Sequence, residues 1–374
     1  IGGHPIDLGA SWIHGVDGNP IARIAADNDI QILPTDYDNA STYFHGGVAA
    51  HRSRDHVVTG FWSFARQHPR ESLRTQFEKF VNVSRLDDDD RRYLAYVLNT
   101  AIEHEYAADI GDLSLASISG GEDWPGDDAL FPSGYGQITE ILSAGLDIRT
   151  GQPVTGIDYS ETGVVLTTAR GEGLEAARVV VTAPLGVLKE GVIAFVPELP
   201  APKRRAIDDL GMGVLNKTCL LFDEVFWSPD VELIGHVGTH PGQWAETVNL
   251  FAYTRQPILM MFNAGAYGAQ IESMSDSEVV SAALTTLENM YGSLPPLRDT
   301  TTTRWQSDPW SFGSYSYVPI NVSWADHAEL AKPIANQVFF AGEATHKDFP
   351  ATVHGAYLSG IRAAREVTVH SGIH

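Results

Sequence analysis

The chain has 374 residues and is 43% hydrophobic, enough for two domains of ordinary size with sizeable cores. Its 25 basic and 47 acidic side chains leave a net charge of −22, which excludes the basic footprint that nucleic-acid binding needs. That charge would favour encounter with a cationic ligand, but taken by itself it reads first as an acidic surface that merely aids solubility. No apolar run reaches the length of a membrane span, and stretches such as Val179 to Val187 contain Pro184 and Gly186. The single Cys219 forbids an internal disulfide and any multi-cysteine metal site, so no metal is expected. No signal sequence is visible, and the final Ser371-Gly372-Ile373-His374 matches no retention or peroxisomal address; the expectation is a cytoplasmic protein.

The elements alternate between strand and helix signals without an internal repeat, which is an α/β pattern. A glycine-rich opening, 1–18, leads to a helix over 21–28 behind Pro20. Apolar positions at three and four spacing predict helices from about Thr59 to Glu105. The consecutive Asp87 to Asp90 read as a helix start, because four adjacent carboxylates fan around the chain and cannot converge on a metal. A loop over 120–131 follows, then a helix over 137–144. Residues 154–159, 163–168 and 178–182 read as a meander of strands ending at Pro184. Pro197, Pro200 and Pro202 mark a crossing between domains ahead of a helix over 203–210. Strands over 214–222, 233–237 and 257–262 belong to another sheet, and 277–290 is an amphipathic helix. The buried strand starting at Val338 runs into Gly342, and a helix over about 353–367 closes the chain.

Three separated blocks carry chemistry. The first is Phe339-Phe340-Ala341-Gly342-Glu343, followed by Pro350-Ala351-Thr352-Val353-His354-Gly355. A strand, a glycine turn and a helix opening present free backbone N–H groups and a positive helix end, which suit a pyrophosphate or an electron-rich ring edge. Any strand–loop–helix packing unit has the same outline. The second is Leu8-Gly9-Ala10-Ser11-Trp12-Ile13-His14-Gly15. The third joins Asn216-Lys217, at the start of an alternating strand, to the aromatic segment from Trp305 through Trp310 and Phe312 to Tyr315 and Tyr317. A lysine in an apolar strand either points outward or finds a partner.

In these blocks the chain resembles the flavin amine oxidases: monoamine oxidases, polyamine and spermine oxidases, and the flavin-dependent histone demethylases. The resemblance spans nearly the whole chain in matching order, and the Trp-Ile-His-Gly tetrapeptide resembles the polyamine oxidase version. It implies a Rossmann-like FAD-binding domain (1–30, 133–210 and 321–374) with an interleaved α+β substrate-binding domain (31–132 and 211–320). It implies non-covalent FAD, because Ser314 stands where monoamine oxidases carry the attachment cysteine. Ala10, Ser11 and Trp12 would run beneath the flavin, Val154 would meet the adenine, and Gly342 and Glu343 would hold the ribityl or pyrophosphate region. The amides of Thr352 and Val353 would face the pyrimidine ring. Lys217 would hold a water at the flavin, Trp305 would stack beside it, and His14 would meet the substrate amine. Tyr315 would form one wall of an amine cage whose second wall is Thr352.

The acidic loop containing Glu122, Asp123, Asp127 and Asp128 either anchors a distal ammonium or is simply solvated. The family's opening G-x-G-x-x-G unit is absent, and Gly120-Gly121 and Gly134-Tyr135-Gly136 do not replace it. It is expected upstream, in the same polypeptide or on a partner chain, so that the native protein has its first βαβ unit. The implied reaction oxidises a polyamine or related amine to an imine or aldehyde while O₂ becomes H₂O₂. An L-amino-acid oxidase, with Arg255 or Arg304 clamping a carboxylate, and a non-catalytic paralogue that has lost FAD are the rival readings.

Overall fold

The structure, a computed structural model, describes residues 1–49 and 54–371; the terminal Gly372-Ile373-His374 lies outside them. It is mixed α/β, and its largest sheet has seven strands. In order across the sheet these are Leu297–Thr302, Leu215–Phe222, Ile258–Ala264, Glu246–Asn249, Leu233–Val237, Ala40–Phe44 and Val48–Ala49. Side chains alternate in Leu215–Phe222 as a pleated strand requires. Leu220 and Phe222 pack with Ile234, Met261 and the helix residues Val279, Ala283 and Leu287. Cys219 and Leu221 take the opposite face with Val248, Met260 and Phe262, against Ile6 and Trp12 from the start of the chain. Lys217 has the same parity as Cys219, so the period of two turns it toward that amino-terminal segment.

The helix over Asp276–Tyr291 that covers the outer face begins with a complete capping box: Ser275 and Glu278 satisfy each other's backbone N–H. The helical region expected from Thr59 divides into Asp55–Ala65, Leu73–Ser84 and Asp88–Leu98, then a π-helical turn over Asn99–Glu103. Asp87 caps the third of these by accepting from the Asp90 amide at 2.8 Å, so the acidic run is a helix start. Arg54 neutralises it by pairing with Asp90 and Asp89.

A second sheet orders Ala194–Val196, Val154–Asp158, Val164–Thr168 and Gly173–Ala176. One expectation is corrected here. The strand Val179–Val181 leaves the meander and pairs in parallel with Val338–Phe340, while the unforeseen Gly173–Ala176 takes its place. An all-valine run carries no information about which neighbour it will pair with. Around this pair lies a core of Ile157, Val164, Leu185, Ile207, Val318, Leu330 and Phe340. Lys203 is 2% exposed within it, its ammonium 3.9 Å from the Phe340 ring centroid and donating to the carbonyls of Glu329 and Leu330.

Candidate active site

Lys217 is 3% exposed, and all three of its ammonium donors are engaged. Nζ donates to Asp7 O at 2.8 Å, Gly9 O at 2.5 Å and Ser11 Oγ at 2.6 Å. Burial pulls its pKa down to about 8, against the opposing pull of Cys219 and Asp7. The lysine therefore ties the 7–11 segment to the sheet; to hold a water as well it must release one of these acceptors. Leu8, Gly9 and Ala10 nevertheless stay exposed, an open apolar strip beside a buried cation. The Trp305 ring lies at the edge of that strip, 4.0 Å from where a side chain on Gly9 would begin. Asn216 on the other face of the strand fixes the Trp305 backbone, accepting its N–H at 3.0 Å.

Trp12 turns its side chain away from the strip, donating to Thr35 Oγ1 at 3.0 Å and packing 6.0 Å from the Phe262 centroid. Two residues on, His14 Nδ1 lies 2.8 Å from Asp128 Oδ2, the oxygen that also accepts from Tyr37 OH at 2.8 Å. Asp128 Oδ1 accepts from Gly15 N at 2.8 Å. Gly15 has φ +62°, and a Cβ there would lie 1.9 Å from Trp124 O, so only glycine permits the acidic loop to close over this turn. Burial disfavours a charged His14, yet the hydrogen bond and charge of Asp128, with Glu105 and Asp123, raise its pKa overall. Asp128 is lowered: burial opposes this, and the bonds from His14, Gly15 and Tyr37 outweigh it. Glu105 is raised by burial and by Asp123 and Asp128, with His14 opposing.

This basin extends along the sheet. Lys217 is opposite Phe262, and Phe262 is opposite Glu246, so the three share one face at successive strands. Glu246 Oε1 lies 3.5 Å from His104 Nδ1, and the charge of Glu246 reaches Tyr37. Of the acidic loop, Asp128 and Asp123 act on His14. Glu122 and Asp127 are exposed, and backbone bonds hold them in place, from Glu122 N to Asp348 O and from Val16 N to Asp127 O. Tyr37, Glu105 and Glu246 were not singled out from the sequence, and no local pattern distinguishes them there.

The carboxy-terminal block converges on the same region. Tyr315 OH donates to His104 O, and burial raises its pKa well above the ordinary phenol value. Ser314 Oγ bridges both backbone groups of Leu215, at 2.8 and 3.0 Å. Glu343 is occupied by protein: Oε2 accepts from Ser316 Oγ at 2.6 Å and Ala351 N at 2.7 Å, and Oε1 from Ser316 N at 3.2 Å. Burial still raises its pKa, these bonds opposing. Thr352 caps the last helix, its hydroxyl accepting from Gly355 N at 3.0 Å and donating to Phe349 O at 2.9 Å. Among the described residues the amides of Thr352 and Val353 have no protein acceptor. Nothing lies within 4 Å of where a Gly342 side chain would begin. Val154 sits at the head of its strand, beyond the end of its pairing with Ala194–Val196.

A profile of flavin containing amine oxidoreductases matches residues 125–368. The chain is 35% identical to polyamine oxidase 4 of Oryza sativa subsp. japonica, over 97% of this chain and 79% of that protein. It is 34% identical to polyamine oxidase 2 of Arabidopsis thaliana, over 97% and 78% respectively. It is 33% identical to lysine-specific histone demethylase 1 homolog 1 of Oryza sativa subsp. japonica, over 96% of this chain but 45% of that one.

The chain belongs to the flavin-containing amine oxidoreductase family. Family membership implies a flavin, and the residues present fit its ring end: an open strip at 8–10, a clear space at Gly342, and two unpaired amides at a helix start. In this amine oxidase both arginines considered for a carboxylate clamp lie elsewhere. Arg304 donates to Ile271 O and Asp276, and Arg255 is exposed beside Phe251. A cavity of about 630 Å³ opens between helix Asp276–Tyr291 and His45, His236 and His240. It lies on the opposite face of the sheet from Lys217 and contains none of the site residues described above, so its size carries no weight in placing the active site.

Proposed function

We propose that this chain oxidises a polyamine or a related amine, with non-covalently bound FAD as its cofactor and O₂ as the final acceptor. The observation that carries this is the acidic basin around His14 and Tyr37: Asp128, Glu105 and Asp123 act on His14, Asp128, Glu105 and Glu246 act on Tyr37, and Glu246 lies on the face of the sheet that bears Lys217. Several carboxylates in one basin match a ligand with several ammonium groups; a monoamine needs one. Relatives named polyamine oxidase support the same reading.

The division into FAD-binding (1–30, 133–210, 321–374) and substrate-binding (31–132, 211–320) parts is supported by the two larger sheets and one parallel pair, while Trp12–Ile13 pairs across it with Ala129–Leu130. Every strand of the seven-stranded sheet falls within the second set. The parallel pair of Val179–Val181 with Val338–Phe340 falls within the first, as a Rossmann-like unit requires. FAD would be held by the exposed strip at 8–10, Val154, Gly342 and the amides of Thr352 and Val353, with Trp305 alongside; Ser11, Trp12 and Glu343, whose side chains bond to protein, would hold the backbone around it in place.

When bound, the flavin takes a hydride equivalent from the carbon beside the amine nitrogen and passes the electrons to O₂, giving H₂O₂; the imine then hydrolyses. The chain's own contribution is to bind, orient and deprotonate the amine. An ammonium has no lone pair to assist loss of hydride, so its proton must leave first, and neutral His14 is the base placed to take it. Tyr315, held by its hydroxyl to His104, offers a fixed aromatic face to the cation. Lys217 holds the floor of the site in register.

The test is H₂O₂ release with spermine, spermidine, acetylated polyamines, putrescine, a monoamine and L-amino acids across ionic strength. The expected result is turnover of polyamines with KM rising more steeply with salt than for the monoamine. Preference for L-amino acids, or equal salt dependence, refutes the reading.

A further inference from the structure

We propose that Asp128 is a positioning residue that fixes the tautomer of His14 and sets the pH at which it accepts the substrate's proton. This rests on the reading that His14 meets the substrate amine. Asp128 stays ionised, so both its oxygens are acceptors only. Three donors converge on them: Gly15 N–H on Oδ1, and Tyr37 O–H and the His14 ring on Oδ2, each at 2.8 Å. Facing a carboxylate oxygen at that distance, His14 Nδ1 must carry the hydrogen. A neutral His14 therefore has its lone pair on Nε2, which has no protein partner among the described residues, and the side chain is 47% exposed to the basin. That is the nitrogen a substrate ammonium can reach.

The remaining contacts hold the arrangement. His14 O accepts from Asn19 Nδ2 at 3.0 Å, and the same amide nitrogen lies 3.3 Å from His354 Nδ1. Around the ring stand Asp128 with Tyr37 bound to it, Glu105 from the short helix His104–Tyr106, Asp123 from the acidic loop, and His354 from the last helix. Burial, with His14 and His346 nearby, holds His354 down to about 4, so it adds no positive charge at neutral pH. Burial opposes a charge on His14, but the carboxylates outweigh it, so the ring holds a proton more readily than a free imidazole does. A neutral partner at position 128 that offered an N–H could instead force the lone pair onto Nδ1 and leave Nε2 without one. Asp128 is 114 residues from His14 in sequence, and its neighbours Glu122, Asp123 and Asp127 have the same composition without the geometry.

The pair is tested by NMR titration of the His14 ring in the flavin-loaded protein, with the resonance assigned from a His14→Gln sample. The pH profile of kcat/KM for a polyamine is measured in parallel. In the wild type, His14 titrates above the ordinary imidazole value, and the acid limb of kcat/KM coincides with it. In Asp128→Asn both move to lower pH together, and the plateau of kcat/KM falls about tenfold through loss of a charge-assisted hydrogen bond. In Asp128→Glu the His14 titration returns toward the wild-type position. An unchanged His14 titration in Asp128→Asn, or an acid limb that moves without it, overturns the proposal. The ring titration needs no turnover, so absence of amine oxidation in the wild type counts against the proposed function and leaves the His14–Asp128 coupling separately measurable.

Discussion

Replacing Lys217 with methionine separates the structural role of this residue from its chemical one. The substitution keeps the length of the side chain and removes three donors, leaving Asp7 O and Gly9 O without the ammonium at 2.8 and 2.5 Å. Each buried acceptor left unpaired costs about 1–3 kcal/mol. Against this, a fall in pKa from 10.5 to about 8 corresponds to about 3 kcal/mol of penalty for holding the charge in the fold. The two effects oppose each other, so at neutral pH the variant loses at most a few kcal/mol and still folds. The pH dependence is more diagnostic. Between about 8 and 10.5 the folded lysine sheds its proton while the unfolded one keeps it, so wild-type stability rises with pH across that window. The methionine variant lacks that rise. Denaturant titrations of both proteins at pH 7 and pH 10 should show the wild type gaining about 2–3 kcal/mol relative to the variant. Because the 7–11 segment loses its tether, in anaerobic stopped flow the variant should reduce its flavin about a hundredfold or more slowly with a polyamine. An identical stability difference at both pH values would refute the burial argument, and unchanged flavin reduction would remove Lys217 from the chemistry.

The flavin should be non-covalent, because the Ser314 hydroxyl bridges Leu215 and offers no thiol. Acid precipitation should release all yellow colour to the supernatant, and colour kept in the pellet contradicts this. Burial also lowers the pKa of Lys203, to about 7, despite its contacts with the Glu329 and Leu330 carbonyls. Relative to Lys203→Met, the wild type should therefore gain stability as pH rises from about 7 to 10.5, measured by denaturant titration. A difference that stays flat over that window would show that the group titrates normally.

Much of this protein is decided locally. The alternation in Leu215–Phe222 assigns Lys217 to one face of a sheet before any partner strand is known. Asp87 announces its helix because a short acceptor before an apolar-periodic run satisfies the first free N–H groups. The strand–glycine–helix block at 338–355 is likewise legible, since its conformation follows from residues adjacent in sequence. Tertiary structure alone decided which distant groups meet. Lys217 finds Asp7, Gly9 and Ser11 across 206 to 210 residues, and His14 finds Asp128 across 114. The strand Val179–Val181 pairs with Val338–Phe340, although its own sequence fits the nearer meander as well. Glu105 and Glu246 enter the basin from a short helix behind a π-helical turn and from a sheet register, and neither leaves a local mark. Period, caps and turns are short-range properties of the backbone; the pairing of buried charges is settled only when the chain closes on itself and water is excluded.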